Sequence, residues 1–553
     1  MKPPAAGEAT ADTAFAADVL DSWKAVAQYL RKDVRTLQRW ESTRSLPVHR
    51  MPGGDRPGVF ALKSELDAWR RGRDIHVATE FDQPVAPGRE PAIAVLPFVN
   101  LAGDKANEYF ADGLADEIIT SLTRIHGLRV IARTSSFAFR SKDLDIRKIG
   151  TSLGASTILE GSVRRSQNRI RVAAQLINTA DGCHLWGERY DRELTEIFTI
   201  QEEISQAIIN ALPIRLAGRI PPLKPQTKNP EAYQLWLMGR YHTQRQTPNQ
   251  ILRSRSCFEQ AVALDPRFSQ AHVGIAESWW ECASFGLESP KEAVAIGRHA
   301  VSQAIELDPS SGDAVSMLGI YSGGHDFDWA ACEHYFKRAL ELDPASPDIH
   351  RRYAAYLLEP TNRLAEARAE LETALDLDPL SPVVLAYLGQ CLMFERRFDE
   401  ATERLHEAAE IEPGYWMSQF LLAGAAAFQG QFEESLGIAE AALRAIGLNP
   451  IVLGAAGAMY GLLGQRARAE ECLERLQAAG EIRYVSPLAI AWIYLGLQSV
   501  ENCLDWLEKA VDEREPQIIH FPIKPMYDGF RNHPRFQALL ARMRLTSSQG
   551  GAE

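Results

Sequence analysis

From residue 231 onward the apolar positions recur on a long beat. Leu264-Asp265-Pro266, Leu307-Asp308-Pro309, Leu342-Asp343-Pro344, Leu377-Asp378-Pro379, Ile411-Glu412-Pro413 and Leu448-Asn449-Pro450 close successive segments. Their prolines step by 43, 35, 35, 34 and 37 residues. Between these marks the apolar residues fall at helical spacing in two runs. One run carries a Leu-Gly pair, as at Leu388-Gly389. The other carries small and apolar residues before the proline, as at Ala401, Leu405, Ala408 and Pro413, or Phe336, Ala339 and Pro344. Alanine and glycine there let two helices approach closely, and the proline stops the second helix. The pattern predicts about eight stacked helix pairs over 231–516. Two of them, 451–484 and 487–516 with Trp492, Leu495-Gly496 and Ala510, lack the closing mark. The long first step reads as an insertion around Gly286 to Pro290.

Upstream the period changes. Ala92 to Phe98 and Leu128 to Ala132 are short apolar runs of buried-strand type, with an amphipathic helix, Glu108 to His126, between them. A second helix, Ile146 to Leu153, ends at Gly154, a residue suited to a left-handed helix stop. Ser156 to Arg164 and Arg169 to Asn178 then make a hairpin, His184 to Arg189 a further strand, and Ile197 to Leu212 a last helix. The order β-α-β-α-β-β-β-α predicts an α/β domain over 92–212. Stretches rich in proline, glycine or charge, 74–91 and 213–230, read as linkers on either side.

Residues 22–73 pack three patterns into a small space. Ser22 caps a helix whose Val26, Ala27 and Leu30 share a face. After the turn Arg31-Lys32-Asp33, a second helix puts Val34, Leu37 and Trp40 inward and Arg35, Thr36, Gln38 and Arg39 outward. Two extended runs flank the turn Gly53 to Gly58, and Ser64 to Trp69 starts a closing helix with Leu66 and Trp69 inward. Charge sharpens the picture. The segment holds 12 Lys and Arg against 5 Asp and Glu, a net +7, in a chain of net −12. Such a local inversion marks a surface that meets a polyanion.

Three resemblances follow from these residues. Val34-Arg35-Thr36-Leu37, Leu46-Pro47 and the hairpin before Ser64-Glu65-Leu66-Asp67-Ala68-Trp69 resemble the winged helix-turn-helix of the MerR/excisionase group. That resemblance implies that the second helix enters the major groove of duplex DNA through Arg35, Thr36, Gln38 and Arg39. Lys32, Arg50 and Arg56 would then sit on phosphates. The chain departs from the group at Arg31, where a turn glycine is frequent, and in lacking heptads after the wing. A lone module makes few base contacts, so dimerisation elsewhere in the chain, as a homodimer, or a weak site is implied. Ala94 to Phe98, Tyr109 to Gly113, Leu159 to Arg164 and Trp186 to Asp191 resemble the TolB-type amino-terminal domain, which implies no catalysis. The repeats have the tetratricopeptide pattern, which implies a superhelix whose concave face receives a protein or peptide. No Lys/Asn set typical of a carboxylate clamp recurs in them.

Composition narrows the rest. Seven cysteines stand singly, which argues against a disulfide framework or zinc cluster and suits a reducing cytoplasm. No apolar run reaches the ~18 residues of a membrane span, and Met1 to Asp21 lacks the pattern of a signal peptide. Gly150-Thr151-Ser152-Leu153-Gly154 matches the letters of a nucleophile elbow, but a helix precedes the serine and a strand follows, the reverse of what that chemistry needs. Asp112 reads as capping a helix turn, with Asp116 and Glu117 on a solvated face. Arg164, Arg165, Arg169 and Arg171 read as a solvated strip, Trp279, Trp280 and Trp416 as core, and Asp328 as an N-cap rather than a metal ligand beside His325 and His334.

The expectation is a multidomain, mainly α chain: a winged helix-turn-helix, an α/β domain, then an α-α superhelical solenoid. The boundaries are 1–21 disordered, 22–73, linker 74–91, 92–212, linker 213–230, repeats 231–516, a capping segment 517–545 and a disordered tail 546–553. The functional expectation is a cytoplasmic bacterial regulator without catalytic, cofactor or metal residues, which reads double-stranded DNA through 22–73 and a protein signal through the repeats. Its rival is an interaction scaffold or an accessory subunit of a signalling complex such as a nucleotide cyclase.

Overall fold

A computed structural model describes residues 19–20, 22–30, 34, 37, 46, 48–50, 59–63 and 66 near the start of the chain. It then describes 91–545, apart from 102–107, 124, 126, 141–143, 167–168, 194–195, 213–226, 244–246, 447–448 and 481–483. The chain divides into two compact units, Met1–Arg89 and Glu90–Glu553.

In the first unit, Ser22 starts helix α1 (Trp23–Leu30), its hydroxyl accepting from the Ala25 amide at 3.2 Å. Strands β1 (Val19–Leu20), β2 (His49–Arg50) and β3 (Val59–Leu62) form a sheet of order β1-β3-β2. The β2–β3 pair is antiparallel, with His49 opposite Phe60 and Arg50 opposite Val59. Val26, Leu37, Leu46, Ala61 and Leu66 close a small core, with Leu20, Trp23 and Leu30 packed against it. Leu37 is thus inward, as the helical spacing requires; Trp40 and the turn 51–58 lie outside the described residues.

The second unit opens with a mixed sheet. Its strands are β4 (Ala92–Val95), β5 (Val99–Asn100), β6 (Arg129–Val130), β7 (Thr157–Ser166), β8 (Arg169–Asn178) and β9 (His184–Glu193). The order is β6-β4-β7-β8-β9, with β5 pairing β7. β4 runs parallel to β6 and β7, and β7-β8-β9 is an antiparallel meander. The parallel strands are joined through helices α2 (Glu108–Thr123), α3 (Arg133–Phe137) and α4 (Ile146–Leu153), and α5 (Ile197–Ala211) follows β9. Helix α2 ends at Thr123, short of the expected His126. Gly154 caps α4 with φ +58°.

Among the described residues eight helix pairs come next. They are Pro230–Thr243 with Pro248–Leu264, Ser269–Ser284 with Pro290–Leu307, Gly312–Gly324 with Trp329–Leu342, and Pro347–Tyr353 with Leu364–Leu377. Then come Pro382–Phe394 with Phe398–Ile411, Trp416–Phe428 with Phe432–Ile446, Pro450–Leu462 with Arg466–Gly480, and Pro487–Gly496 with Val500–Asp512. The first helix of the fourth pair continues as a π-helix, Ala354–Leu358.

Local chemistry repeats with the pairs. Ser311, Ser346 and Ser381, each 35 residues apart, cap a first helix by accepting an amide three residues on. The chain turns between first and second helices through residues of positive φ at Asn362, Arg396, Gly430, Gly464 and Gln498, each 34 apart. Gly389 is required by packing: a Cβ there would lie 2.7 Å from Leu405 Cγ of the partner helix. Asp328 caps its helix by accepting from the Ala331 amide, as the sequence suggested.

Candidate protein-binding inner face

First helices of neighbouring pairs touch along much of the array and make its inner face, and the α/β domain is fastened to the array at two places. At the first pair, Gln201 donates to the Tyr233 hydroxyl at 2.7 Å, Arg165 to Gln234 at 3.2 Å, and Arg240 to Asp116 at 3.3 Å. A Cβ at Gly113 of α2 would meet the end of the Leu237 side chain, which would have to shift to admit it. At the turn between the fourth and fifth pairs, the Ser135 amide and hydroxyl both donate to Asp378 Oδ1, at 2.9 and 2.5 Å. The same hydroxyl accepts from the Leu380 amide at 2.6 Å.

This docking corrects the sequence reading of α2. Asp116 and Glu117 are buried rather than solvated, because α2 is covered on a second side by the first repeat. Asp112 lies inside the helix and caps nothing; it pairs with Arg140 and stands 3.9 Å from Arg133. Burial raises the Asp112 pKa against the pull of Arg140 and Arg133. The arginine strip is solvated as expected, Arg164, Arg169 and Arg171 being exposed, and Arg169 and Arg171 both pair with Asp191 of β9, at 2.8 and 2.6 Å. Ser152 sits within α4, ahead of β7, in the order that excludes an elbow.

The inner face has two characters. Over the first four pairs it is charged, through Arg240, Glu277, Glu281, Asp313, Asp348, Arg351 and Arg352. Arg352 is the hub: it bonds Glu277 at 2.5 Å and Ser316 at 2.9 Å, and stands 3.5 Å from Asp313. Burial works against its charge, but Glu277, Asp313 and Asp348 overcome that and raise its pKa. Arg351 pairs with Asp348 at 3.0 Å and lies over the Tyr387 ring at 4.8 Å. Burial, and then Glu277 beside it, push the Glu281 carboxyl up to about 8.

Beyond the fourth pair the face becomes apolar and curls around a cavity of about 150 Å³ that opens to solvent. Its walls include Tyr356, Met393, Phe394, Met417, Phe420, Met459 and Trp492. The coil also closes on itself. Phe285, at the turn between the two helices of the second pair, packs edge-on against Trp416 of the sixth, centroids 5.0 Å apart. Short 3₁₀ turns, Pro516–His520 and Pro525–Phe530, and a last helix, Pro534–Arg542, then clasp the array. His520 Nε2 faces the Ala355 carbonyl at 2.9 Å and the Glu359 carboxylate at 3.2 Å, so that nitrogen carries the proton. The π-helix thereby gives the tail its anchor. Arg396 donates to the Ile523 carbonyl at 3.1 Å, and the Trp329 indole to that of Met543 at 2.8 Å. Trp279, Trp280 and Trp416 are buried, as expected of core aromatics.

Of the residues the sequence assigns to DNA, Lys32, Arg35, Thr36, Gln38, Arg39 and Arg56 lie outside the described residues, as does the side chain of Arg50. The charged inner face was not singled out in the sequence. A signal for it exists: Asp313 and Asp348 occupy the same place at the start of successive first helices, 35 residues apart. Among the described residues no group of three or more His, Cys, Asp and Glu could hold a metal. No helix among them is long and apolar enough to cross a membrane.

The tetratricopeptide repeat family matches residues 328–382 and 361–417, within the third to sixth helix pairs. A putative adenylate cyclase 3 of Rhizobium meliloti is 44% identical over 195 residues, 35% of this chain and 33% of that protein. The transcriptional regulator HilA of Salmonella typhimurium is 23% identical over 286 residues, 48% of this chain and 49% of its own. The chain thus spans a third to a half of the length of these curated relatives. A solved structure titled as a human IFIT1 dimer with m7Gppp-AAAA overlaps 57% of this chain and 76% of its own, at 16% identity and a TM-score of 0.39. The chain carries tetratricopeptide repeats, and repeats of this kind imply a protein-interaction role.

Proposed function

We propose that the protein is a DNA-binding regulator in which residues 22–73 are a winged helix-turn-helix and the repeats receive a protein partner. The observation that carries the reading is the +7 charge of 22–73 in a chain of −12. The buried Leu37 and the β2–β3 hairpin behind it support that reading. Arg35, Thr36, Gln38 and Arg39 read base edges, and Lys32, Arg50 and Arg56 hold phosphates. The similarity to the transcriptional regulator HilA over about half of both chains supports a regulatory role. Residues 92–212 form a TolB-like domain that docks on the repeats through Ser135 and Asp378. It has no catalytic role.

A second reading, an accessory subunit or scaffold in a cyclase-type signalling complex, is favoured by the 44% identity with the putative adenylate cyclase. Selection of duplexes from a random pool by the full-length protein separates the two. The regulator enriches one motif, and R35A/R39A loses it. A pool that stays random, while a stable protein partner co-purifies, supports the scaffold instead.

A further inference from the structure

The apolar cavity contains one feature that its walls do not explain. Lys524, in the loop between the two 3₁₀ turns, lines it. Among the described residues its ammonium has no hydrogen-bond or ion-pair partner. It stands 4.8 Å over the Trp492 ring, a contact that steadies a cation without neutralising it. The buried carboxyl of Glu515 attracts the ammonium but makes no ion pair with it, accepting instead from the Ser486 hydroxyl and from the Leu488 amide at 3.1 Å. A buried cation without a paired anion is costly, and a bound carboxylate lowers that cost. Burial already pulls the Lys524 ammonium down to about 8, which an incoming carboxylate would reverse.

The rest of the lining indicates the body of the ligand. Met393, Met417, Met459 and Met526 supply flexible, polarisable walls that fit an irregular or elongated apolar chain. A peptide would bring backbone amides and carbonyls needing partners, which so apolar a wall supplies sparingly. From these observations we propose that the cavity binds a small amphipathic carboxylate, an apolar chain with its acid group on Lys524. This site is independent of whether residues 22–73 bind DNA.

Gly424 offers a clean test. It lines the cavity from the middle of Trp416–Phe428, and a Cβ there meets nothing within 4 Å. G424F should fill the space without breaking the helix. The experiment is calorimetric titration of the full-length protein with decanoate, below its micellar range, and with decanol. Decanoate should bind at least about tenfold tighter than decanol. K524M should erase that preference while leaving decanol unchanged, K524R should keep it, and G424F should abolish both. Circular dichroism confirms folding of each variant; if K524M does not fold, the K524R and G424F arms still decide. No binding of decanoate, an intact preference in K524M, or unchanged binding in G424F would overturn the proposal. So would capture of an apolar peptide by a protein that ignores decanoate.

Discussion

Replacing Arg352 by methionine is expected to cost the repeat array about 3 kcal/mol, at the low end for breaking a buried ion pair. The size follows from what is left behind. Arg352 is 9% exposed and satisfies Glu277, Ser316 and Asp313, which come from the second and third helix pairs. Methionine keeps much of the volume but leaves the Glu277 carboxylate on an inner face with no counter-charge at 2.5 Å. Because the penalty is the orphaned charge rather than lost packing, R352M/E277L should recover at least half of it. Urea midpoints of the two variants and the parent measure both. A single-variant loss under about 1 kcal/mol would mean that the charged inner face is open and solvent-screened.

Truncating Phe521 to alanine is the second large effect, about 3–5 kcal/mol as for other buried phenylalanines. Phe521 is fully buried, 4.5 Å from the Phe536 ring and 5.7 Å from Tyr527. These three rings hold the two 3₁₀ turns and the last helix together as one clasp. The neighbouring His520 is anchored on Ala355, 165 residues earlier. Loss of the rings should therefore be felt at a distance: hydrogen exchange should quicken over 516–545 and also over 354–358. Faster exchange confined to the tail would show that the clasp does not hold the fourth repeat.

The elements most legible in the sequence are those whose cause is local. The Leu-Asp-Pro marks and the close approach at Gly389 act within about 35 residues, so a period exposes them. Ser22, Gly154 and Asp328 were readable for the same reason: a cap is decided by three or four neighbours. Contacts between distant segments leave no such trace. Asp378 reads as one more repeat-closing aspartate, yet its carboxylate holds Ser135 of the α/β domain. Asp116 and Glu117 look solvated because helical spacing reports one buried face of α2, whereas the first repeat covers another. Arg396 occupies a left-handed turn where its counterparts Gly430 and Gly464 are glycine. The strain is offset by its bonds to Ile523 and Asp528, which the local sequence does not announce. The curl that brings Phe285 to Trp416, and so creates the cavity, is likewise a sum of small rotations per repeat that no single residue encodes.

The central claim is that an acidic repeat protein carries a basic DNA reader at 22–73. The most direct test is a salt titration of duplex binding by the full-length chain. The account predicts a straight log–log fall in affinity, with a slope of roughly −0.9 per phosphate neutralised, and a slope about 2 units shallower for R50A/R56A. Affinity that does not change with salt, or a slope that R50A/R56A leaves untouched, would contradict it.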